Sequence, residues 1–267
     1  MPGAKFKGAY AVSVIIAGLA AVASGGGLVI KGLYRDSAPI KIAWLGNDLV
    51  TFFVVVPLLL ASLFYAQRGS ERAQLVWMGL LGYMVYNYAF YLFGASFNLF
   101  FLLYVALFSL SICALVQGLA SLNARRISKE FTRQTPVRGI SVFLLFISIP
   151  LGIVEISQCL QFVLHGEVPE VPPLIFALDL SVVVPGTALA AVLLWRRRPW
   201  GYVLAAIMLV KAFTYGLVLS VATALVAGFR LGGAWDPLMP FYVFVASGGL
   251  MGILLLLRNL KPLPNYS

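Results

Sequence analysis

Long apolar stretches separated by short polar segments make up nearly all of the sequence. Eight of these stretches are about 20 residues long, the length at which a helix rising 1.5 Å per residue crosses a hydrocarbon layer of about 30 Å. The pattern therefore predicts an all-α integral membrane protein with eight transmembrane helices. We place these helices at residues 9–30, 44–66, 75–95, 99–122, 140–164, 174–195, 202–227 and 238–257.

The polar segments on the two sides of the predicted membrane differ in charge. Fourteen Lys and Arg residues lie in the segments on one side and four in those on the other. By the positive-inside rule, this asymmetry places both termini in the cytoplasm of a multi-pass cell-membrane protein. The fourteen are Lys5, Lys7, Arg68, Arg72, Arg125, Arg126, Lys129, Arg133, Arg138, Arg196, Arg197, Arg198, Arg258 and Lys261; the four are Lys31, Arg35, Lys41 and Arg230.

The first helix also allows a second interpretation. Two lysines, an apolar run and the small residues at 21–23 together resemble a secretory signal with a cleavage site after Ala23. Cleavage there would leave seven helices and an outer N-terminus. We favour retention of this segment, because it fits an internal repeat.

The internal repeat is visible in residues 8–48 and 139–179. The two ranges are equal in length, each runs from a glycine to an aspartate, and a proline follows within the same helix, at Pro57 and Pro185. Residues 97–105 and 235–243 also match in the spacing of their aromatic and polar positions. We therefore predict two tandem four-helix repeats, 1–122 and 139–267, joined by a basic cytoplasmic linker, 123–138. Because each repeat has an even number of helices, both enter the membrane from the same side, and the repeat is parallel.

Composition excludes several classes of protein. Hydrophobic residues make up 61% of the chain and charged residues 10%, and the mean hydropathy is +0.97, all far from values of soluble proteins. The net charge of +10 comes from the short connections, so it orients the chain in the membrane and does not indicate a nucleic-acid partner. Cys113 and Cys159 lie inside apolar runs, and His165 is the one histidine. We therefore expect no disulfide, no metal site and no cofactor.

Four charged residues lie inside predicted helices, where a charge is costly and usually marks a site facing protein or water. With nearby amides and a tyrosine, they predict an outward-facing polar cavity between the repeats. Three carboxylates against one ammonium favour a cation or small amine as the ligand. The predicted ligand-binding residues are Asp48, Glu155, Asp179, Lys211, Asn47, Asn87, Gln158 and Tyr215.

Each of these features also has a structural interpretation. Asp48 and Asp179 could be first-turn residues that offset the positive end of a helix dipole. Glu155 and Lys211 could form one buried ion pair, and the tyrosines near Asn87 could serve packing alone.

Two functions fit the sequence, and neither is enzymatic, since no catalytic motif is present. The leading hypothesis is a transporter or binding protein for a small molecule or cation, with its site between the repeats. The alternative is a non-catalytic membrane scaffold or assembly subunit. In that case the basic cytoplasmic loops would dock a protein partner. The basic run 123–138 most simply contacts the anionic lipid head groups of the bilayer.

Overall fold

The structure, a computed structural model, describes residues 6–169, 172–228 and 236–261, with no β-strand among them. Eight helices are long enough and apolar enough to cross a membrane, and each lies within a few residues of a predicted one. The prediction of an all-α protein with eight long apolar helices is thus confirmed for the described chain. The helices are α1 (Lys7–Val29), α2 (Ala38–Val50), α3 (Val56–Gln67), α4 (Glu71–Gly94), α5 (Phe101–Ser121), α6 (Ala124–Glu130), α7 (Val137–His165), α8 (Pro173–Leu178), α9 (Val184–Trp195), α10 (Pro199–Gly228) and α11 (Met239–Arg258).

Two of the spans are interrupted by one turn of π-helix. Thr51–Val55 joins α2 to α3, and Asp179–Val183 joins α8 to α9. In both spans a Val-Pro pair follows directly, and the proline removes an N–H that a continuous α-helix would use.

The chain divides into two compact units. The first contains Met1–Leu122 and Leu209–Ile253, and the second contains Asn123–Met208 and Leu254–Ser267. In the first unit, α4 is the most deeply buried of the spans and packs against α3 and α5. In the second unit, α7 packs against α9 and the π-helix before it.

Glycines allow close helix contacts in the first unit. The backbone of Ala222 on α10 lies where a side chain at Gly46 of α2 would project. Gly216 of α10 meets the backbone of Ala246, and Gly249 of α11 meets that of Phe213. Small residues at such crossings are typical of membrane helices, whose association depends on close packing.

Local geometry recurs along the chain at a constant offset. The offset between the starts of the two π-helices, Thr51 and Asp179, equals that between the starts of α4 and α10, which follow them. The same offset relates Gly69, at φ +90° in the turn before α4, to Arg197, at φ +51° in the turn before α10. In both turns this residue donates its N–H to the carbonyl three positions back.

The starts of α5 and α11 are also alike. The side chain of Asn98 accepts the N–H of Phe100 at 2.9 Å, and that of Asp236 accepts the N–H of Leu238 at 2.8 Å. These two bonds recur at the spacing predicted from residues 97–105 and 235–243, and the tandem repeat stays a prediction. The offset of the π-helices nevertheless pairs Asp179 with Thr51, whereas the equal spacing of residues 8–48 and 139–179 pairs it with Asp48, about one helical turn earlier.

Helix α1 is an integral part of the first unit. The Trp77 indole of α4 is fully buried and donates to Ser13 Oγ of α1 at 2.9 Å, and its ring lies edge-on to Tyr10. The helix continues without a break through Ala23. Retention of the segment stays a prediction, which this packing makes testable.

Replacement of Ser13 by alanine tests that retention. The change leaves the buried indole N–H of Trp77 without an acceptor, so we expect it to destabilise the protein by about 1–3 kcal/mol. The measurement is the melting temperature in detergent, with Val14→Ala, a change at a side chain 51% exposed, as the control. Equal melting temperatures for Ser13→Ala and the wild type would contradict the assignment.

Candidate functional site

A stripe of buried polar side chains runs along α4. Tyr83, Asn87 and Tyr91 follow one another at every fourth position, which places them on one face of the helix. All three are at most 2% exposed. Asn87 lies two turns before the end of α4 at Gly94, or about 10 Å along the helix.

Asp48 is held by two phenol groups. It is 3% exposed, and its two carboxyl oxygens accept separate hydrogen bonds, from Tyr34 Oη at 2.5 Å and from Tyr91 Oη at 2.8 Å. Burial, and then the negative charge of Asp48, raise the pKa of Tyr34 well above its ordinary value. Tyr34 therefore keeps its proton and acts as a donor, which ties the α1–α2 connection to α2.

The position of Asp48 in its helix differs from one structural interpretation of the sequence. Helix α2 begins at Ala38, almost three turns earlier, so Asp48 is not a first-turn residue, and its carboxyl group does not offset the positive end of that helix. Asp179 likewise lies beyond the first turn of α8, which begins at Pro173.

Tyr83 binds two polar side chains of the second span. Its hydroxyl donates to Asn47 Oδ1 at 3.1 Å and lies 2.8 Å from Thr51 Oγ1. Because the single phenolic proton is directed to Asn47, Thr51 is the donor in the second bond. Thr51 is the first residue of the π-helix, so this bond joins the irregular turn to α4.

Asn87 lies between these two bonded tyrosines on the same face of α4. It is 1% exposed, and both Oδ1 and Nδ2 are buried without a hydrogen-bond partner in the described chain. A buried amide in this state costs about 1–3 kcal/mol, so such groups are rare unless a water, ion or ligand binds them. Asn87 thus offers one free acceptor and two free donors inside the unit.

Aromatic rings surround the Asp48 end of this stripe. The Tyr91 ring lies 4.6 Å from that of Trp44 and 5.0 Å from that of Tyr104, measured between centroids. Gly27 of α1 makes room for the cluster, because any side chain there would overlap the Asp48 carboxyl group and approach the Tyr34 hydroxyl.

Asp36 fastens the α1–α2 connection to the α4–α5 connection next to the cluster. Its Oδ2 accepts the indole N–H of Trp44 at 3.1 Å, and its Oδ1 accepts the backbone N–H and the hydroxyl of Ser96 at 3.0 and 2.8 Å. The α1–α2 connection therefore carries both Tyr34, which covers Asp48, and Asp36, which fastens that connection to the α4–α5 connection.

Lys211 and Tyr215 lie in the same unit. The Lys211 ammonium is 3.8 Å from the centroid of the Tyr86 ring and 4.9 Å from that of Tyr215. The two rings meet edge to face at 4.8 Å. Since Tyr86 belongs to α4 and Lys211 to α10, this cation–π contact joins the two predicted repeats.

The remaining predicted residues belong to the second unit. Glu155 and Asp179 are 6% and 8% exposed, and α7, which carries Glu155, packs against the π-helix that begins at Asp179. Gln158 lies one turn beyond Glu155 and is partly exposed. The structure therefore brings Asn47, Asp48, Asn87, Lys211 and Tyr215 into one unit, and a cavity shared by all three carboxylates stays a prediction.

Sequence reasoning missed three members of the first-unit site. Tyr34, Thr51 and Gly27 contact it, yet each lies where a simpler explanation exists: a surface loop, a helix interior and a glycine cluster. The sequence does place Tyr34 beside Leu33, an apolar pair within a polar loop. That pair was the available signal, and in the structure both side chains are buried.

Metal-binding clusters of three or more His, Cys, Asp or Glu side chains are absent from the described ranges. Comparison of the chain with protein-family models, curated proteins and solved structures gives no match. Function is therefore inferred from the side chains themselves, in a helical protein of multi-pass membrane type.

Proposed function

We propose that the protein binds a small polar molecule or cation at Asn87 and carries it across the membrane. The observation that supports this proposal is the fully buried amide of Asn87, whose donor and acceptor both lack a partner in the described chain. A group of this kind is destabilising in the empty protein and becomes favourable when a ligand supplies the missing bonds. Its neighbours Tyr83 and Tyr91 define the two ends of the binding position.

Small amines fit this position best. The Asp48 carboxyl group is bonded to Tyr91 at one end, where aromatic rings pack around it, and a carboxylate with aromatic rings attracts an ammonium group. The rings of Tyr86 and Tyr215 already hold the ammonium of Lys211 in this way. Asn87 adds an acceptor for an amine N–H and donors for a second polar atom of the ligand.

The proposed transport requires the site to open on either side. On the outer side, release of Tyr34 and Asp36 would uncover Asp48, because both residues lie in the α1–α2 connection. Below Asp48, the π-helix Thr51–Val55 and Pro57 weaken the regular bonding of the span, as helix hinges do. The positive-inside charge pattern supports an orientation with both termini in the cytoplasm of a cell membrane.

The experiment is a thermal-shift screen of the detergent-purified protein against alkali cations, primary and quaternary amines and neutral amides. The wild type is compared with Asn87→Leu, which keeps the branched shape of the side chain but removes its polar atoms. We expect at least one amine to raise the melting temperature of the wild type and to leave that of the variant unchanged. Without ligand, the variant should be as stable as the wild type or about 1 kcal/mol more stable.

A matched control is Ser148→Ala in the second unit. Ser148 is 1% exposed and its hydroxyl is also buried without a partner in the described chain, so its removal relieves the same kind of penalty. The ligand shift should survive this change. An equal ligand shift in Asn87→Leu and the wild type would disprove the assignment of the site.

The alternative function, a membrane scaffold or assembly subunit, is supported by a different observation. Both carboxyl oxygens of Asp48 are already bonded to tyrosines, as in a purely structural network. In that case no ligand shifts the melting temperature, and the basic cytoplasmic segments dock a partner protein.

A further inference from the structure

Three separate segments of the second unit are tied together by direct contacts. Phe131 and Leu260 form an isolated β-bridge, and Thr132 donates its N–H to the Asn259 carbonyl at 2.9 Å. The Phe131 ring stacks on that of Tyr202 at 4.4 Å. The linker after α5, the start of α10 and the end of α11 therefore form one fixed surface.

This surface, which we call the basic face, carries ten exposed cationic side chains. They are Arg125, Arg126, Lys129, Arg133, Arg138, Arg196, Arg197, Arg198, Arg258 and Lys261. Within residues 123–138, 195–202 and 254–261, Glu130 is the one acidic residue. The excess of positive charge is thus nearly uncompensated, and an anionic partner would be attracted to it.

The short helix α6 presents its charges outward. Ala124 and Ile127 are buried, whereas Arg125, Arg126 and Lys129 are exposed. Asn123 caps the helix by accepting the N–H of Arg126 at 3.0 Å. The apolar side of α6 therefore faces the unit, and its basic side faces outward from the unit.

Two tryptophans frame the arginine turn between α9 and α10. Trp195 and Trp200 are 47% and 43% exposed, and the Arg138 guanidinium lies 5.9 Å from the Trp195 ring. Exposed tryptophans at the ends of membrane helices are typical of the head-group level of a bilayer. They place the basic face where lipid phosphates would lie.

Arg197 carries its charge at a position with an unfavourable backbone conformation. Its φ of +51° is unfavourable for an arginine, and the corresponding turn before α4 has Gly69 at this point. The Arg197 side chain donates to the Arg133 carbonyl at 3.2 Å, which links the arginine turn to the linker. A glycine would relieve the backbone but remove both the charge and the link.

We propose that the basic face binds the head groups of anionic phospholipids in the adjoining membrane leaflet. Clusters of Lys and Arg next to membrane helices attract such lipids, and the number of charges sets the strength of binding. The inference is independent of the proposed ligand site in the first unit.

The experiment titrates phosphatidylglycerol, with phosphatidylcholine as the neutral comparison, into detergent micelles containing the intact chain. We expect phosphatidylglycerol to raise the melting temperature of the wild type by several degrees more than phosphatidylcholine, and added salt of about 0.5 M to reduce the difference. For Arg125→Gln/Arg126→Gln, the half-maximal lipid concentration should rise about fivefold for each charge removed. The outer-side variant Lys31→Gln/Lys41→Gln should keep the wild-type response.

Arg197→Gly provides a second variant that should fold readily. In phosphatidylcholine we expect it to be at least as stable as the wild type, and in phosphatidylglycerol to lose part of the shift. Inorganic phosphate alone should produce no shift. The proposal would be overturned by equal responses to the two lipids or by an unchanged lipid response in both basic-face variants. It would also be overturned if the basic face bound a protein partner and showed no response to lipid.

Discussion

Replacement of Gly27 by alanine is expected to disrupt the site and destabilise the protein by about 2–6 kcal/mol, the sum of two effects. A methyl group at this position would overlap the Asp48 carboxyl group and crowd the Tyr34 hydroxyl. Overpacking typically costs about 1–3 kcal/mol, and a buried donor that loses its acceptor costs a similar amount. The measurements are the melting temperature in detergent and the ligand shift, both of which should fall sharply.

Gly18→Ala on the same helix is the control. Gly18 is exposed, and nothing outside its own helix lies within 4 Å of where a methyl group would be. Since glycine in a helix interior is less favourable than alanine by about 0.5–1 kcal/mol, this variant should be slightly more stable. If Gly27→Ala behaves like Gly18→Ala, the close packing of α1 on Asp48 is incorrect.

The helical spans could be predicted because bilayer thickness fixes the length of an apolar run. The errors lie at polar helix ends. The predicted second span begins at Trp44, but α2 already begins at Ala38, because a helix can extend beyond the apolar layer through residues such as Lys41. This extension explains why Asp48 is deeper in its helix than a first-turn position.

The candidate site was only partly accessible to sequence analysis. Asp48 and Asn87 could be singled out from the sequence, because a polar side chain inside an apolar run is costly to bury. The structure buries both side chains. The partner of Asp48 could not be found in this way, because Tyr34 reaches it through the path of a loop. Likewise, helical periodicity places Tyr83 and Tyr91 on the Asn87 face but does not reveal which hydroxyls are already bonded.

The tandem repeat shows a related limit. Sequence spacing aligned Asp48 with Asp179, whereas the π-helices and the turns that follow them recur at one offset, which aligns Asp179 with Thr51. The two alignments differ by nearly one helical turn, which apolar sequence alone does not resolve. At the structural offset, Lys211 corresponds to Tyr83, so the two predicted repeats would carry different polar groups at matching positions.

Replacement of Asp48 by leucine is expected to destabilise the protein by about 2–4 kcal/mol. The Tyr34 hydroxyl then loses its acceptor in a buried position, while Tyr91 keeps only its contact of 3.3 Å with the Trp44 carbonyl. Unpaired buried donors account for the loss, because leucine itself suits an apolar environment. The change is measured as the free energy of unfolding in detergent, with urea as the denaturant.

The triple variant Tyr34→Phe/Asp48→Leu/Tyr91→Phe separates the two proposed functions. It removes the donors together with their acceptor, and well-packed apolar replacement of a buried polar network is often neutral or stabilising, so most of the lost stability should return. If the site binds amines, the dissociation constant of the triple variant for them should be at least about 30-fold higher than that of the wild type, because the carboxyl group is gone. If the network is structural, as a scaffold requires, the triple variant should match the wild type in both stability and function. Full amine binding by the triple variant would contradict a role for Asp48 in recognition and leave Asn87 as the only anchor of the ligand.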